Sequence, residues 1–184
     1  MAKMHSIEKF LVNSRLDYLF HKFFGINRLL QKMIVAEPKN ILELGSGIGY
    51  TTELIRERFP AASLAAIDYD ESQVEIAKKR LANRSVSIAQ GDVAQLPFHE
   101  NNFDACFASF LFHHIPNYHD ALKEIYRVLK PHGYLYIVEV PLKLLNQIFS
   151  KHQLIQEFEQ IGFKVVRSKG KFLLTFLVCE KILP

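Results

Sequence analysis

The stretch Ile41-Leu42-Glu43-Leu44-Gly45-Ser46-Gly47-Ile48-Gly49-Tyr50 constrains this chain more than any other. It reads as a short apolar strand running into a glycine-rich turn and then a helix over Tyr50 to Arg58. Apolar residues on both faces mark a strand buried in a parallel sheet. Glycines at alternate positions supply a turn that takes positive φ and leave no Cβ to block a ligand lying across it. The helix that follows points free N–H groups at such a ligand. The pattern predicts a nucleotide-shaped site.

The spacing says which nucleotide. A dinucleotide fingerprint, G-x-G-x-x-G, needs glycine at position 50, where Tyr50 stands. A second strand over Ser63 to Ile67 ends in Asp68, nineteen positions after Gly49, placed to accept hydrogen bonds from ribose hydroxyls. Glu43-Leu44-Gly45-Ser46-Gly47-Ile48-Gly49 and Ala66-Ile67-Asp68-Tyr69-Asp70 together resemble the first two motifs of the class I S-adenosylmethionine-dependent methyltransferases, in their ubiquinone/menaquinone methyltransferase-like branch. The resemblance implies S-adenosylmethionine as cofactor and S-adenosylhomocysteine as product. It implies Gly45, Ser46, Gly47 and Gly49 as the cofactor turn, Asp68 on the ribose and Glu43 near the methionine amino group. Tyr69 is placed to pack on the adenine face. Gly91-Asp92-Val93, Leu96-Pro97-Phe98 and Phe103-Asp104 resemble a further family run, in which Asp92 accepts from the adenine amino group and the N–H of Val93 bonds the ring. A plain turn-forming role is the competing reading of Asp92.

From position 40 onward, short apolar strands alternate with amphipathic helices, which predicts a right-handed parallel sheet. Asp70 is placed to cap a helix over Glu71 to Asn83. Strands are expected at Val86–Ala89, Phe103–Ala108 and Tyr134–Val140. Helices are expected at Asn117–Leu129, stopped by Pro131-His132-Gly133, and at Lys151–Ile161, stopped by Gly162. Phe163–Arg167 and Phe172–Glu180 form a hairpin around Lys169-Gly170-Lys171. The resemblance implies a Rossmann-like, doubly wound α/β fold: a seven-stranded sheet of order 3-2-1-4-5-7-6 with the last strand antiparallel.

Residues 6–35 have apolar side chains at three- and four-residue steps and read as helices divided at Gly25. Residues 1–39 are assigned as a helical lid over a cofactor-binding core of residues 40–184, within one domain. Packing of the same apolar residues on the sheet is the competing reading. Residues 1–40 carry seven Lys/Arg against three Asp/Glu, so the chain's whole net charge of +4 lies there and the rest is neutral. A basic, aromatic segment of this kind fits an anionic contact such as a lipid headgroup, or an ordinary solvated helix face. No apolar run spans a bilayer and no secretory signal is recognised, so a cytoplasmic protein is expected, with peripheral membrane contact through these helices. Cys106 and Cys179 lie in apolar runs and read as buried free thiols. A monomer or weak homodimer is expected.

In open α/β sheets ligands lie beyond the carboxyl ends of the strands at the switch point. The fourth strand ends there as Ala108-Ser109-Phe110-Leu111-Phe112-His113-His114. Ser109 and Phe110 are taken with the cofactor contacts. His113 is taken as the catalytic candidate, a base for an acceptor hydroxyl or amine, since imidazole titrates near neutral pH. A structural hydrogen bond is its competing reading and the preferred one for His114. No metal-ligand spacing is present, so no metal is assigned. The expected activity is methyl transfer to a small or amphiphilic acceptor such as a lipid, a quinone precursor or a small metabolite. Two other readings stay open: a non-catalytic cofactor-binding sensor or scaffold, and a nicotinamide-dependent oxidoreductase. A neutral body and the lack of an Asn-Pro-Pro-Tyr-like run argue against a nucleic-acid substrate.

Overall fold

The computed structural model describes residues 26–31, 33–116, 118–139, 151–171 and 174–182. Its elements run α1 (Ile26–Leu30), β1 (Asn40–Leu44), α2 (Tyr50–Arg58), β2 (Ser63–Asp68), α3 (Glu71–Arg80), β3 (Ser87–Gln90) and β4 (Phe103–Ser109). A 3₁₀ turn at Phe112–His114 follows, then α4 (Tyr118–Val128), β5 (Leu129–Glu139), α5 (Lys151–Ile161), β6 (Phe163–Lys171) and β7 (Leu174–Lys181). The strands form one sheet of order β3-β2-β1-β4-β5-β7-β6. The neighbours from β3 to β5 run parallel, and β7 lies antiparallel to both β5 and β6. This is the Rossmann-like topology expected from the sequence. The chain winds outward from β1 to β3 and then crosses to β4, so the switch point lies between β1 and β4.

Alternation along the central strands builds two apolar layers. On one face Leu42, Leu44, Cys106, Ala108, Leu135, Ile137 and Cys179 pack with Leu122, Ile125 and Val128 of α4 and Phe158 of α5. On the other, Ile41, Ala105, Phe107, Tyr136, Val138 and Val178 pack with Leu54 and Ile55 of α2. Ile26, Leu29 and Leu30 of α1 join this second layer, so the described end of the N-terminal segment packs as core. Its helix stops at Leu30 rather than reaching residue 35. Beyond it, the N–H groups of Ile34 and Val35 donate to the Tyr136 hydroxyl at 3.1 and 3.4 Å. Residues 1–25, which carry most of the basic segment, lie outside the described residues.

Several boundaries differ from the sequence reading. The helix expected to reach Asn83 ends at Arg80; at its start Asp70 caps as expected, accepting from Ser72 N–H at 2.9 Å. Pro131-His132-Gly133 lies inside β5, which starts at Leu129 instead of Tyr134. Phe103 pairs with Leu129 but Ala105 with Tyr134, so the extra residues bulge out of the ladder. His132 takes φ +59° there, and a Cβ on Gly133 would stand 2.8 Å from the Lys130 carbonyl oxygen. The terminal hairpin also pairs further on: Gly170 faces Thr175 and Lys171 faces Leu174, so Lys169-Gly170-Lys171 belongs to β6 and not to the turn. Cys106 and Cys179 both lie opposite Leu135, on the strands either side of it, and both are free and buried.

Leu29→Ala tests the core assignment of α1. Truncation of a fully buried leucine costs about 2–5 kcal/mol, whereas a solvent-facing lid position costs within about 0.5 kcal/mol. Chemical denaturation of the variant distinguishes the two, and a midpoint equal to that of the parent protein refutes core packing.

Candidate cofactor and acceptor site

The site is assembled at the carboxyl end of β1. Gly45, Gly47 and Gly49 take φ of +71°, +52° and +86°, the left-handed region closed to most side chains. The turn is fastened to β2. Gly45 and Ser46 both donate their N–H to the Ile67 carbonyl, at 2.9 and 3.0 Å, and Gly47 donates to Asp68 Oδ2 at 2.8 Å. Asp68 Oδ1 accepts the Asp70 N–H at 2.9 Å. Asp68 is therefore first a brace that shapes the turn. Gly91 N–H bonds the Asp68 carbonyl at 2.9 Å, which brings the Asp92 loop to the same strand end.

Space differs along the turn. A Cβ on Gly45 would stand 2.8 Å from Leu111 Cδ1, so the chain after β4 is pressed against the turn. A Cβ on Gly47 would meet nothing within 4 Å, leaving an open cradle above the backbone. α2 begins at Gly49 with no side chain capping its first turn.

Glu43, on β1 two residues before Gly45, is 1% exposed, and neither carboxyl oxygen has a donor in good hydrogen-bond geometry, the Thr52 hydroxyl being only a weak neighbour. Burial pushes its carboxyl from 4.5 up to about 8; the neighbouring Thr52 hydroxyl eases the shift and the Asp68 charge adds to it. The hydroxyls of Thr52 and Ser46 are likewise buried without a partner. Such groups cost free energy unless a ligand satisfies them.

The other side of the switch point is built from β4, the turn after it and β5. Ser109 is buried with its Oγ unpartnered. Phe110 takes φ +51°, strained for a bulky residue, while its N–H continues the ladder to the Val138 carbonyl at 2.8 Å. The chain then leaves the sheet, Leu111 packs toward Gly45, and the 3₁₀ turn carries His113 and His114 with ring centroids 3.9 Å apart. His113 Nδ1 lies 2.7 Å from Glu139 Oε1, and Glu139 Oε2 accepts the Phe112 N–H at 3.0 Å.

A sequence profile for the methyltransferase domain matches residues 42–137, just over half of the chain. The chain belongs to the methyltransferase domain family. It is 36% identical over 95 residues to a malonyl-[acyl-carrier protein] O-methyltransferase of Priestia megaterium, covering 52% of this chain and 34% of that protein. It is 35% identical over 106 residues to a demethylmenaquinone methyltransferase of Thermus thermophilus, covering 56% of this chain and 48% of that one. A Staphylococcus aureus demethylmenaquinone methyltransferase is 29% identical over 162 residues, covering 87% of this chain and 67% of the relative. The chain thus spans a third to a half of the length of the first two relatives. A SAM-dependent methyltransferase from Aquifex aeolicus shares the fold, with TM-score 0.83 and 19% identity over 98% of this chain and all of that one.

S-adenosylmethionine is the cofactor of this methyltransferase domain, and the site fits it. The cofactor carries an ammonium and a sulfonium cation; Glu43 is a buried carboxyl without a partner, and Gly47 leaves an open cradle. Glu43, Ser46, the three glycines and Asp68 come together with Ser109 and Phe110 around β1 and β4. Tyr69 follows Asp68, half-buried, its carbonyl taking a bond from Gln90 Nε2 at 3.2 Å. Asp92 uses Oδ1 to cap its own turn, accepting from Ala94 N–H at 2.9 Å, and Val93 is buried in the core. One oxygen of Asp92 thus serves its own turn, which leaves the adenine role open to Oδ2.

The sequence reading missed four residues. Leu111 packs against the glycine turn and Glu139 holds His113. Glu124 and Arg127 clamp the loop after β3: Arg127 donates to the carbonyls of Leu96 and Phe98, and Leu96 N–H donates to Glu124. The three-residue spacing of Glu124 and Arg127 is visible in the sequence, but their loop partners are not.

Glu43 generates a calorimetric prediction. Held near pKa 8, it is mostly protonated at pH 7 and must ionise against a bound cation, so cofactor binding releases up to about one proton. Titrations in buffers of different ionisation enthalpy read this number, and Glu43→Gln removes it. The folded chain holds this proton more tightly than the unfolded chain. Glu43 therefore favours folding fully below pH 4.5, and its contribution is lost as pH rises through about 8. Proton release equal in Glu43→Gln and parent protein contradicts the assignment.

Proposed function

We propose that this chain transfers a methyl group from S-adenosylmethionine to a small or amphiphilic acceptor, with a hydroquinone hydroxyl or ring as the favoured class. The observation that carries the reading is the juxtaposition at the switch point. An unpartnered buried carboxyl and an open glycine cradle lie on β1, and a histidine held by a carboxylate stands at the ends of β4 and β5. The demethylmenaquinone methyltransferases among the relatives support the acceptor class.

When bound, the cofactor supplies a methyl group made electrophilic by its sulfonium, so the protein has chiefly to align the acceptor and exclude water. In this reading Glu43 neutralises a cofactor cation, Asp68 and the glycine turn orient the ribose, and Ser109 and Phe110 line the path to the acceptor. His113 takes the acceptor's proton.

The test is an assay for S-adenosylhomocysteine formation across reduced naphthoquinols, phenols, small amines and malonyl thioesters. Naphthoquinol or phenol methylation is expected, with His113→Ala lowering kcat by about 10²–10⁴-fold. S-adenosylhomocysteine formation with malonyl thioester alone refutes the hydroquinone class, and no S-adenosylhomocysteine with any acceptor refutes methyl transfer itself.

A further inference from the structure

Glu139 is the buried charged group at the site that the reading above leaves without a role. It is 5% exposed at the carboxyl end of β5, one strand beyond β4. Each of its two oxygens has one partner among the distances above: Oε2 takes the Phe112 backbone N–H and Oε1 lies 2.7 Å from His113 Nδ1. A carboxylate has no proton to give, so the ring nitrogen facing it must carry one. Neutral His113 is then the Nδ1–H tautomer, with its lone pair on Nε2. Protonation at Nε2 creates an imidazolium beside a carboxylate, which stabilises the product of proton transfer without moving any heavy atom.

We propose that Glu139 is a positioning residue that fixes the His113 tautomer, so that the site takes acceptors whose reacting hydroxyl must lose a proton. This rests on the methyl-transfer reading and narrows it. The acceptor O–H proton passes to His113 Nε2 and the electron pair left on oxygen forms the O–CH3 bond as the S–CH3 bond breaks, its electrons staying on the sulfur of S-adenosylhomocysteine; the imidazolium then returns the proton to solvent. An acceptor already ionised, such as a free carboxylate, gains nothing from this device. A purely structural Glu139 would need only the bond to Phe112. The second oxygen, spent on a histidine ring one-fifth exposed, is what that role does not require.

The experiment is nitrogen NMR of the His113 ring in the protein bound to S-adenosylhomocysteine, for the unmodified chain and for Glu139→Gln. The glutamine amide keeps an oxygen for Phe112 N–H and turns its NH₂ toward His113, which demands the opposite tautomer. The expected result is Nδ1–H in the unmodified protein and Nε2–H in the variant. S-adenosylhomocysteine affinity should stay within about threefold, while kcat for naphthoquinol methylation falls at least about 100-fold with KM little changed. An Nε2–H tautomer in the unmodified protein overturns the proposal, and this spectrum decides even if the variant does not fold. An unchanged tautomer or unchanged kcat in a folded Glu139→Gln protein overturns it as well. Failure to methylate any acceptor overturns the broader methyl-transfer reading instead, since the ring shifts are read without turnover.

Discussion

The site hangs on one carboxylate. Asp68, at the end of β2, receives the N–H of Gly47 on one oxygen and that of Asp70 on the other, while the Ile67 carbonyl before it takes the N–H groups of Gly45 and Ser46. These bonds hold three successive positive-φ glycines in one turn between β1 and α2. Charged-group hydrogen bonds of this type are worth roughly twice neutral ones, enough to offset the entropy that glycine loses on ordering. Without them the turn has no reason to keep its cradle open above Gly47. The Leu111 contact closes the same turn from the β4 side, so both halves of the sheet meet on it.

Two further buried carboxyls meet opposite fates there. Glu139 has donors from its own chain and is satisfied as it stands. Glu43 has only the adjacent Thr52 hydroxyl, set outside good hydrogen-bond geometry, and burial drives it toward the neutral form until a cation arrives. In the proposed reading the contrast separates a carboxylate that serves the protein's own geometry from one kept for a ligand. It also explains why Glu43 is tolerated in a central strand whose other buried residues are leucine and isoleucine.

The parts of the fold set by local rules were legible in the sequence. The bounds of α2 and α5 and the Asp70 cap follow from glycine placement, caps and alternation, whereas the strand order came with the resemblance to the class I methyltransferases. What escaped depends on contacts between distant segments. Pro131-His132-Gly133 reads locally as a helix stop and turn, yet pairing with β4 draws it into β5 as a bulge. Glu139 reads as one polar residue in the run Tyr136-Ile137-Val138-Glu139, and nothing local says that His113 lies across the adjacent strand end. That Asp92 also caps its own turn through the Ala94 N–H is a local bond the family run does not reveal.

The most direct measurement is calorimetric binding of S-adenosylhomocysteine to the unmodified protein and to Gly47→Ala. A methyl group at this position touches no protein atom, so its structural cost is the left-handed backbone alone, about 1–2 kcal/mol or about 2–8 °C in Tm. The account predicts binding by the unmodified protein and an affinity loss of at least about tenfold in a variant that still folds, because the added carbon fills the cradle. No binding by the unmodified protein, or equal affinity in both, would contradict it.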